Sequence, residues 1–118
     1  MGGRGASGLL STADDLYSWW RALGDGAVLS RSTADTLFTP RETLPSGTKI
    51  AYGWFRSTTD SGLETLWTRG GEDIGHNAVL VFYPDKGVTI VITSNAGQVD
   101  GEEWNRHLKD ALELIVFE

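Results

Sequence analysis

The first third of the chain has apolar residues at the spacing of α-helices. They recur three or four positions apart at Leu16, Trp19, Trp20 and Leu23. Hydroxyl side chains precede this run at Ser11 and Thr12, and glycines follow it at Gly24 and Gly26. These signals predict a helix near 12–24, with the Trp19–Trp20 pair in a core or an interface. A second, shorter helix is predicted after Ser30 and before Pro40.

From position 49 onward the apolar pattern is typical of β-strands. Strands are predicted at 49–57, 63–69, 76–83 and 88–94. The last two flank Pro84-Asp-Lys-Gly87, whose proline and glycine suit the corners of a tight turn, so they form a hairpin. Their apolar residues are consecutive rather than alternating, which predicts a sheet covered on both faces. Residues 40–47, with two prolines and a glycine, predict a loop.

A closing helix is predicted near 101–117, where Asp100 and Glu103 have the spacing of a capping box. One apolar stripe of this helix is expected to lie on the sheet: Trp104, Leu108, Ala111, Leu112 and Ile115. The chain thus predicts an α+β fold with two helices, an antiparallel meander of about four strands and a closing helix. We expect a single domain over 1–118, with a Gly-rich start (1–10), helices (11–39), sheet (48–95) and closing helix (100–117).

Composition excludes several classes of function. Of the 118 residues 40% are hydrophobic, enough for a core, and the formal net charge is -6. The ten lysines and arginines are scattered, which argues against nucleic-acid binding. No apolar stretch reaches the roughly 20 residues that cross a bilayer. The absence of cysteine excludes disulfides and thiolate metal sites, and the two histidines stand too far apart in sequence to suggest a metal site. We predict no cofactor and no metal.

Several segments together resemble a known family. They are GLLSTADDLYSWW, LSRSTADTLFTP, AYGWF and WTRGGEDIGHNAVLVFYPDKGVTIVITSN. In this order they resemble the C-terminal part of the serine β-lactamase and penicillin-binding-protein family, which includes class C β-lactamases, D-Ala-D-Ala peptidases and related esterases. The resemblance covers nearly the whole chain, from about Gly8 to the closing helix. It implies a partial β-lactamase-like fold.

The family works through three motifs. A Ser-x-x-Lys carries the nucleophile, a Tyr-x-Asn or Ser-x-Asn stands on a loop, and a Lys or His followed by x-Gly lies on the strand beside the nucleophile. A serine hydroxyl needs a neighbouring base to become nucleophilic, and the oxyanion that it creates needs N–H donors. This sequence contains no Tyr-x-Asn. Its one Ser-x-x-Lys, Ser46-Gly-Thr-Lys49, begins within the segment 40–47 predicted as a loop and lies outside the segments that carry the resemblance. We therefore predict no catalytic residue in this chain and no activity for it alone.

Only the third motif has a counterpart, Arg69-Gly70-Gly71. The resemblance places Arg69 where the family has Lys or His, Gly71 at the motif's glycine, and the backbone N–H of Glu72 as one of two oxyanion donors. Gly75 matches a further glycine of the family, in the turn before the next strand. Arginine can hold a substrate carboxylate through a bidentate fork, but it cannot shuttle a proton near neutral pH. Substrate holding is the role that this sequence predicts for Arg69.

Each of these residues also has a purely structural interpretation. Arg69 could be a strand-end cation paired with Glu72 or Asp73, and the glycines could form a bulge and a turn. His76 at a strand start is more typical of a structural residue than of a cleft residue. His107 on the closing helix is expected at the surface.

Two hypotheses follow. The first is a hydrolase fragment that forms one wall of an acyl-transfer cleft acting on β-lactam, peptide or ester substrates. Its expected partners are the missing N-terminal part of the parent chain and, through the exposed edge of strand 88–94, a second copy. No signal peptide is visible at the start, so either the native protein is cytoplasmic or the true N-terminus lies upstream. The Gly-rich opening that runs directly into a helix cap favours an upstream N-terminus, and the resemblance implies an exported or periplasmic parent. The alternative is a stand-alone, non-catalytic binding or structural module.

Overall fold

The structure is a computed structural model that describes residues 8–70, 75–95, 98–99 and 102–118. Helix α1 spans Ala13–Gly24 and helix α2 spans Arg31–Phe38. Thr12 caps α1 by accepting a hydrogen bond at 3.1 Å from the Asp15 backbone N–H. Ser30 caps α2 in the same way, through the Thr33 N–H at 3.3 Å. Both helices form where the sequence predicts them.

Six strands form one antiparallel sheet in chain order. They are β1 (Glu42–Thr43), β2 (Lys49–Ile50), β3 (Phe55–Thr58), β4 (Glu64–Gly70), β5 (Asn77–Tyr83) and β6 (Val88–Ser94). A separate two-stranded ladder pairs β7 (Gln98–Val99) with β8 (Glu102–Glu103), and helix α3 (Trp104–Phe117) follows it. The α+β architecture is as predicted.

Two predictions for the first half of the sheet are wrong. Residues 40–47 are not all loop, because β1 begins at Glu42 and pairs with β2. The predicted strand 49–57 is divided into β2 and β3 by a tight turn in which the Ala51 N–H donates to the Trp54 carbonyl at 2.8 Å. Gly53 makes that turn possible, since its φ of 75° is a backbone conformation that other residues rarely adopt. The sheet therefore has six strands rather than four.

Helices α1 and α2 pack on one face of the sheet. The core on this side contains five buried residues: Leu23, Ala51, Trp54, Leu66 and Leu80. Trp20 of α1 lies among aromatic rings, with centroid distances of 5.5 Å to Phe38, 5.3 Å to Trp54 and 5.0 Å to Phe82. Its indole N–H donates to the Thr89 hydroxyl of β6 at 3.1 Å. Trp20 thus joins both helices to the sheet.

Helix α3 lies on the opposite face, against β5 and β6. Leu112 and Phe117 pack onto the core formed there by Val81, Tyr83 and Ile90. Most of the predicted apolar stripe, however, does not reach the sheet: Leu108 is 47% exposed, Ile115 is 76% exposed, and Ala111 is also exposed.

The face that α3 presents to the sheet carries a polar seam beside Leu112 and Phe117. Asn105, Lys109 and Glu113 follow each other at a spacing of four residues and find polar partners at the sheet surface or within the helix. Buried polar groups are stable in such a position only when they are hydrogen-bonded. These contacts favour the face of α3 that lies on the sheet. The helix also begins at Trp104, later than predicted, with Glu103 still in β8. Asp100 and the side chains of Glu103 and Trp104 lie outside the described residues.

Candidate functional site

Arg69 stands near the end of β4, where its backbone pairs with Val79 of β5. It lies on the same sheet face as Trp67, two residues earlier, and its guanidinium carbon is 5.8 Å from the centroid of the Trp67 ring. At this distance a guanidinium is attracted to the face of an indole. Arg69 is an exposed residue on the α3 side of the sheet, near the end of a strand that pairs with β3 and β5.

Gly70 pairs with Ala78 and is also exposed. A Cβ atom added at Gly70 would meet no heavy atom within 4 Å, and its φ is not in the positive region. Neither packing nor backbone conformation within the described residues therefore requires glycine here. Gly75 differs, because its φ of 71° does require glycine.

The other predicted residues are not all brought to one place. Gly71 and Glu72 lie outside the described residues, as does Asp73. His76 is exposed just before β5, and His107 is exposed on α3, as predicted for a surface residue. Within the part of the chain that the structure describes, no group of three acidic, histidine or cysteine side chains could hold a metal ion.

Arg69 lines an open groove of about 960 Å³ on the α3 side of the sheet. Trp67, Val79 and Val81 form its floor, and α3 forms one wall. The opposite wall is rich in hydroxyl groups from β3 and the turn that follows it. There Ser57 and Thr65 hydrogen-bond to each other at 3.0 Å, and the Trp67 indole N–H donates to the Ser57 hydroxyl at 3.0 Å. The groove thus combines an aromatic floor with polar walls.

The α3 wall contains two polar clusters that are partly or fully buried. At one end, the Asn105 amide donates at 2.8 Å to the side-chain oxygen of Asn77. At the other end, the Tyr83 hydroxyl donates to Glu113, which also accepts from Lys109 at 2.7 Å. Lys109 contacts Asp110 at 2.7 Å as well.

These contacts change the acid–base properties of the wall. Burial raises the pKa of Tyr83 far above its ordinary value, and the hydrogen bond to Glu113 adds to the effect. Burial alone would lower the pKa of Lys109. Its hydrogen bonds to Asp110 and Glu113 outweigh burial and leave that pKa above the ordinary value. Both groups therefore keep their protons in the folded chain at a pH where free side chains lose them.

We expect the free energy of unfolding to fall as the pH rises above about 10, because Tyr83 then loses its proton only in the unfolded chain. Lys109 acts in the same direction, since its pKa is also raised. Below about pH 10 the contribution of Tyr83 is constant. Urea unfolding between about pH 8 and 11 should give a wild-type slope steeper than that of Tyr83→Phe, by up to about 1.4 kcal/mol per pH unit. If stability falls equally with pH in the wild type and in Tyr83→Phe, the pKa of Tyr83 is not raised.

This polar seam was not predicted from the sequence. Its signal was present in the spacing of Asn105, Lys109 and Glu113 at successive intervals of four. The apolar residues of the same helix are more numerous, and they directed the prediction to the other face. No local pattern linked this seam to Asn77 or Tyr83, which lie on a strand.

Similarity to known proteins identifies the family of this chain. The family model for β-lactamase matches residues 1–113 of the 118. The chain therefore belongs to the β-lactamase family. No curated protein sequence matches it.

Among solved structures, the fold is similar to that of a penicillin binding protein from Bacillus halodurans, with a TM-score of 0.74 and 22% sequence identity. The match covers 88% of this chain and 30% of that one. At this level of identity the likeness shows a shared fold, and the chain spans less than a third of its neighbour's length. No helix among the described residues is long and apolar enough to cross a membrane.

Proposed function

We propose that this chain is the C-terminal portion of a serine hydrolase of the β-lactamase family, in which it forms one wall of the substrate cleft and is inactive by itself. The observation that carries the proposal is the pair Arg69–Gly70. An exposed cation is held on a rigid strand, and beside it stands a glycine that nothing in the described structure requires. A strand glycine without a local reason is typical of a position where another molecule approaches the backbone.

The chemistry of this pair suits the binding of an acyl substrate. The guanidinium of Arg69 can donate two parallel hydrogen bonds to a substrate carboxylate, which fixes the orientation of the substrate. The missing side chain at Gly70 leaves room for the substrate backbone along the strand. By family resemblance the N–H of Glu72 would then stabilise the oxyanion. An arginine does not exchange protons near neutral pH, so the base that activates the serine must come from the nucleophile-bearing segment of the parent.

We expect this chain alone to hydrolyse neither nitrocefin nor p-nitrophenyl esters above the buffer rate. The reason is that its one Ser-x-x-Lys, Ser46-Gly-Thr-Lys49, runs through the connection between β1 and β2, and no Tyr-x-Asn accompanies it. The Ser46 hydroxyl there accepts from the Thr48 N–H at 3.4 Å, and Lys49 is exposed. The measurement is the initial rate at high protein concentration, together with mass spectrometry after incubation with a penicillin or a fluorophosphonate. A stoichiometric acyl or phosphonyl adduct on the chain would overturn the proposal.

The edge of the sheet supports the view that other chain segments complete this fold. Strand β6 ends the six-stranded sheet, and no described residue pairs with its outer edge. Its sequence, Val88–Ser94, contains neither a charged residue nor a proline, the two usual protections of an edge strand. In isolation such an edge pairs with another chain.

We therefore expect the isolated chain to dimerise through β6 at low micromolar concentration. Thr93→Lys, which puts a charge at an exposed position of β6, should shift the sedimentation coefficient to that of a monomer. Thr43→Lys is the matched control, because Thr43 is exposed on β1 at the opposite end of the sheet. A wild-type chain that sediments as a monomer would refute the edge contact.

A further inference from the structure

Helix α3 carries an exposed apolar stripe on the side that faces away from the groove. Leu108 is 47% exposed, Ile115 is 76% exposed, and Ala111 between them is also exposed. None of the three lines the groove, which α3 meets with its other flank, at Asp110 and Leu114. The groove lies toward β3 and β4, so the stripe faces the outer edge of β6. We call these three residues the edge stripe.

The sequence of β6 reads the same in both directions about Val91. Residues 89–93 are Thr-Ile-Val-Ile-Thr. Antiparallel strands run in opposite directions, so a second β6 centred on Val91 would put Ile90 opposite Ile92 and each threonine opposite a threonine. The strand carries no charge that would repel its own copy. This symmetry selects a second copy as the partner, because a two-fold interface uses the same surface twice.

The two faces of β6 agree with this register. Ile90 and Ile92 pack in the core beneath α3, whereas Val91 packs on the core beneath α1 and α2. Residues directly opposite in an antiparallel pair project from the same face, so the cores beneath the two α3 helices would join through isoleucines. On the other face, Trp20 anchors α1 at Thr89. These anchors would lie about 13 Å apart along the paired strands, which exceeds the 8–10 Å between packed helices.

Helix α3 runs along β6, and its middle lies beside the middle of that strand. Near the start of α3, Asn105 hydrogen-bonds to Asn77, the first residue of β5. Toward the end of α3, Glu113 accepts a hydrogen bond from Tyr83, the last residue of β5. Because β5 and β6 are paired along their whole length, the middle of the edge stripe lies close to the two-fold axis at the centre of β6.

Pairing of β6 with its copy would bring the two α3 helices into contact. Helix α3 lies over β5 and β6, so it stands about one strand spacing of 4.8 Å from the axis. The two helices would then be antiparallel and about 10 Å apart, a distance typical of packed helices. Leu108 of each copy would meet Ile115 of the other. Ala111, the smallest side chain of the edge stripe, would lie between these two contacts.

We propose that β6 and the edge stripe form one two-fold interface with a second copy of this chain, with Val91 on the axis and the two α3 helices packed antiparallel. The inference rests on the open β6 edge that the proposed function also uses, but not on acyl transfer or on Arg69. It adds a register and a helix contact to the expected edge pairing. A longer protein in which another strand covers β6 would not form this dimer.

The test measures the dimer Kd by sedimentation equilibrium for Ile115→Lys and for Leu114→Lys. These neighbours on α3 are 76% and 64% exposed, but Leu114 lies on the groove flank. We expect the Kd to rise at least about tenfold for Ile115→Lys and less than about twofold for Leu114→Lys. Circular dichroism checks that both variants keep the wild-type fold. Equal effects of the two substitutions, or no effect of Ile115→Lys, would overturn the helix contact.

A charge pair across the axis tests the antiparallel arrangement. Leu108→Glu alone should weaken the dimer as Ile115→Lys does. The double variant places opposite charges beside each other twice across the axis, so its Kd should be at least about fivefold lower than that of either single variant. Within one copy the two positions are about 10 Å apart at helical rise, too far to pair.

The proposal fails if the double variant dimerises no better than the single variants, or if the wild-type chain sediments as a monomer. Hydrolysis and acyl-adduct formation are measured separately, so either failure leaves the acyl-transfer role of this chain untouched.

Discussion

Trp20→Ala is expected to remove a large part of the stability of this chain. Trp20 contacts three aromatic rings within 5.5 Å and donates a hydrogen bond to β6, so it connects α1 to α2 and to the sheet. Truncating a large core aromatic costs about 3–5 kcal/mol, and small domains have about 5–15 kcal/mol in total. We expect the unfolding temperature to fall by more than about 10 °C.

Trp19→Ala is the matched control, because the adjacent tryptophan is 50% exposed. The same change of side chain on the same helix should alter the free energy of unfolding by about 0.5 kcal/mol or less. Urea unfolding followed by far-ultraviolet circular dichroism measures both variants, at equal protein concentration because of the expected dimer. Equal losses from the two substitutions would show that the aromatic cluster does not hold the helices on the sheet.

Helix α1 could be predicted from the sequence because its signals are local. A cap hydroxyl, a helical apolar period and a terminal glycine lie within a few residues of one another, and each can be recognised without knowing the rest of the fold. The same holds for the β5–β6 hairpin, where the Gly87 N–H donates to the Tyr83 carbonyl at 2.9 Å across the predicted turn. Local signals predicted local structure there.

The errors have different causes, one local and one long-range. The turn that separates β2 from β3 depends on Gly53, a single glycine within an aromatic, extended-looking segment. The rotation of α3 depends on Asn77 and Tyr83, which are 28 and 30 residues from their helical partners. Periodicity identifies the most apolar face of a helix, but hydrogen-bonding partners on a sheet can favour another face.

The candidate site was identified from the sequence by resemblance rather than by spacing. Nothing in the pattern around Arg69 would select it from the other basic residues of the chain. The structure adds that Arg69 lines a groove and that Gly70 has free space around it, two facts that need three dimensions. The roles of Gly71 and Glu72 stay predictions, since both lie outside the described residues.

Arg69→Ala should raise the KM for an anionic substrate by tenfold or more in a longer protein that joins this chain to a Ser-x-x-Lys segment. A charge-assisted hydrogen bond contributes about 1.5–3 kcal/mol, and each 1.4 kcal/mol corresponds to about tenfold in affinity. The kcat should change less, because the arginine holds the substrate and takes no proton. Arg56→Ala is the control, since Arg56 is an exposed arginine on β3.

Gly70→Val separates this binding role from a structural one. A valine Cβ would meet no heavy atom within 4 Å, and a branched residue suits a strand, so the isolated chain should be at least as stable as the wild type. In the longer protein the same side chain would obstruct the substrate backbone, and kcat/KM should fall by about tenfold or more. Stability and activity would then change in opposite directions at one residue, which a purely structural glycine cannot produce. If neither Arg69→Ala nor Gly70→Val changes the kinetics, this strand does not form a wall of the substrate cleft.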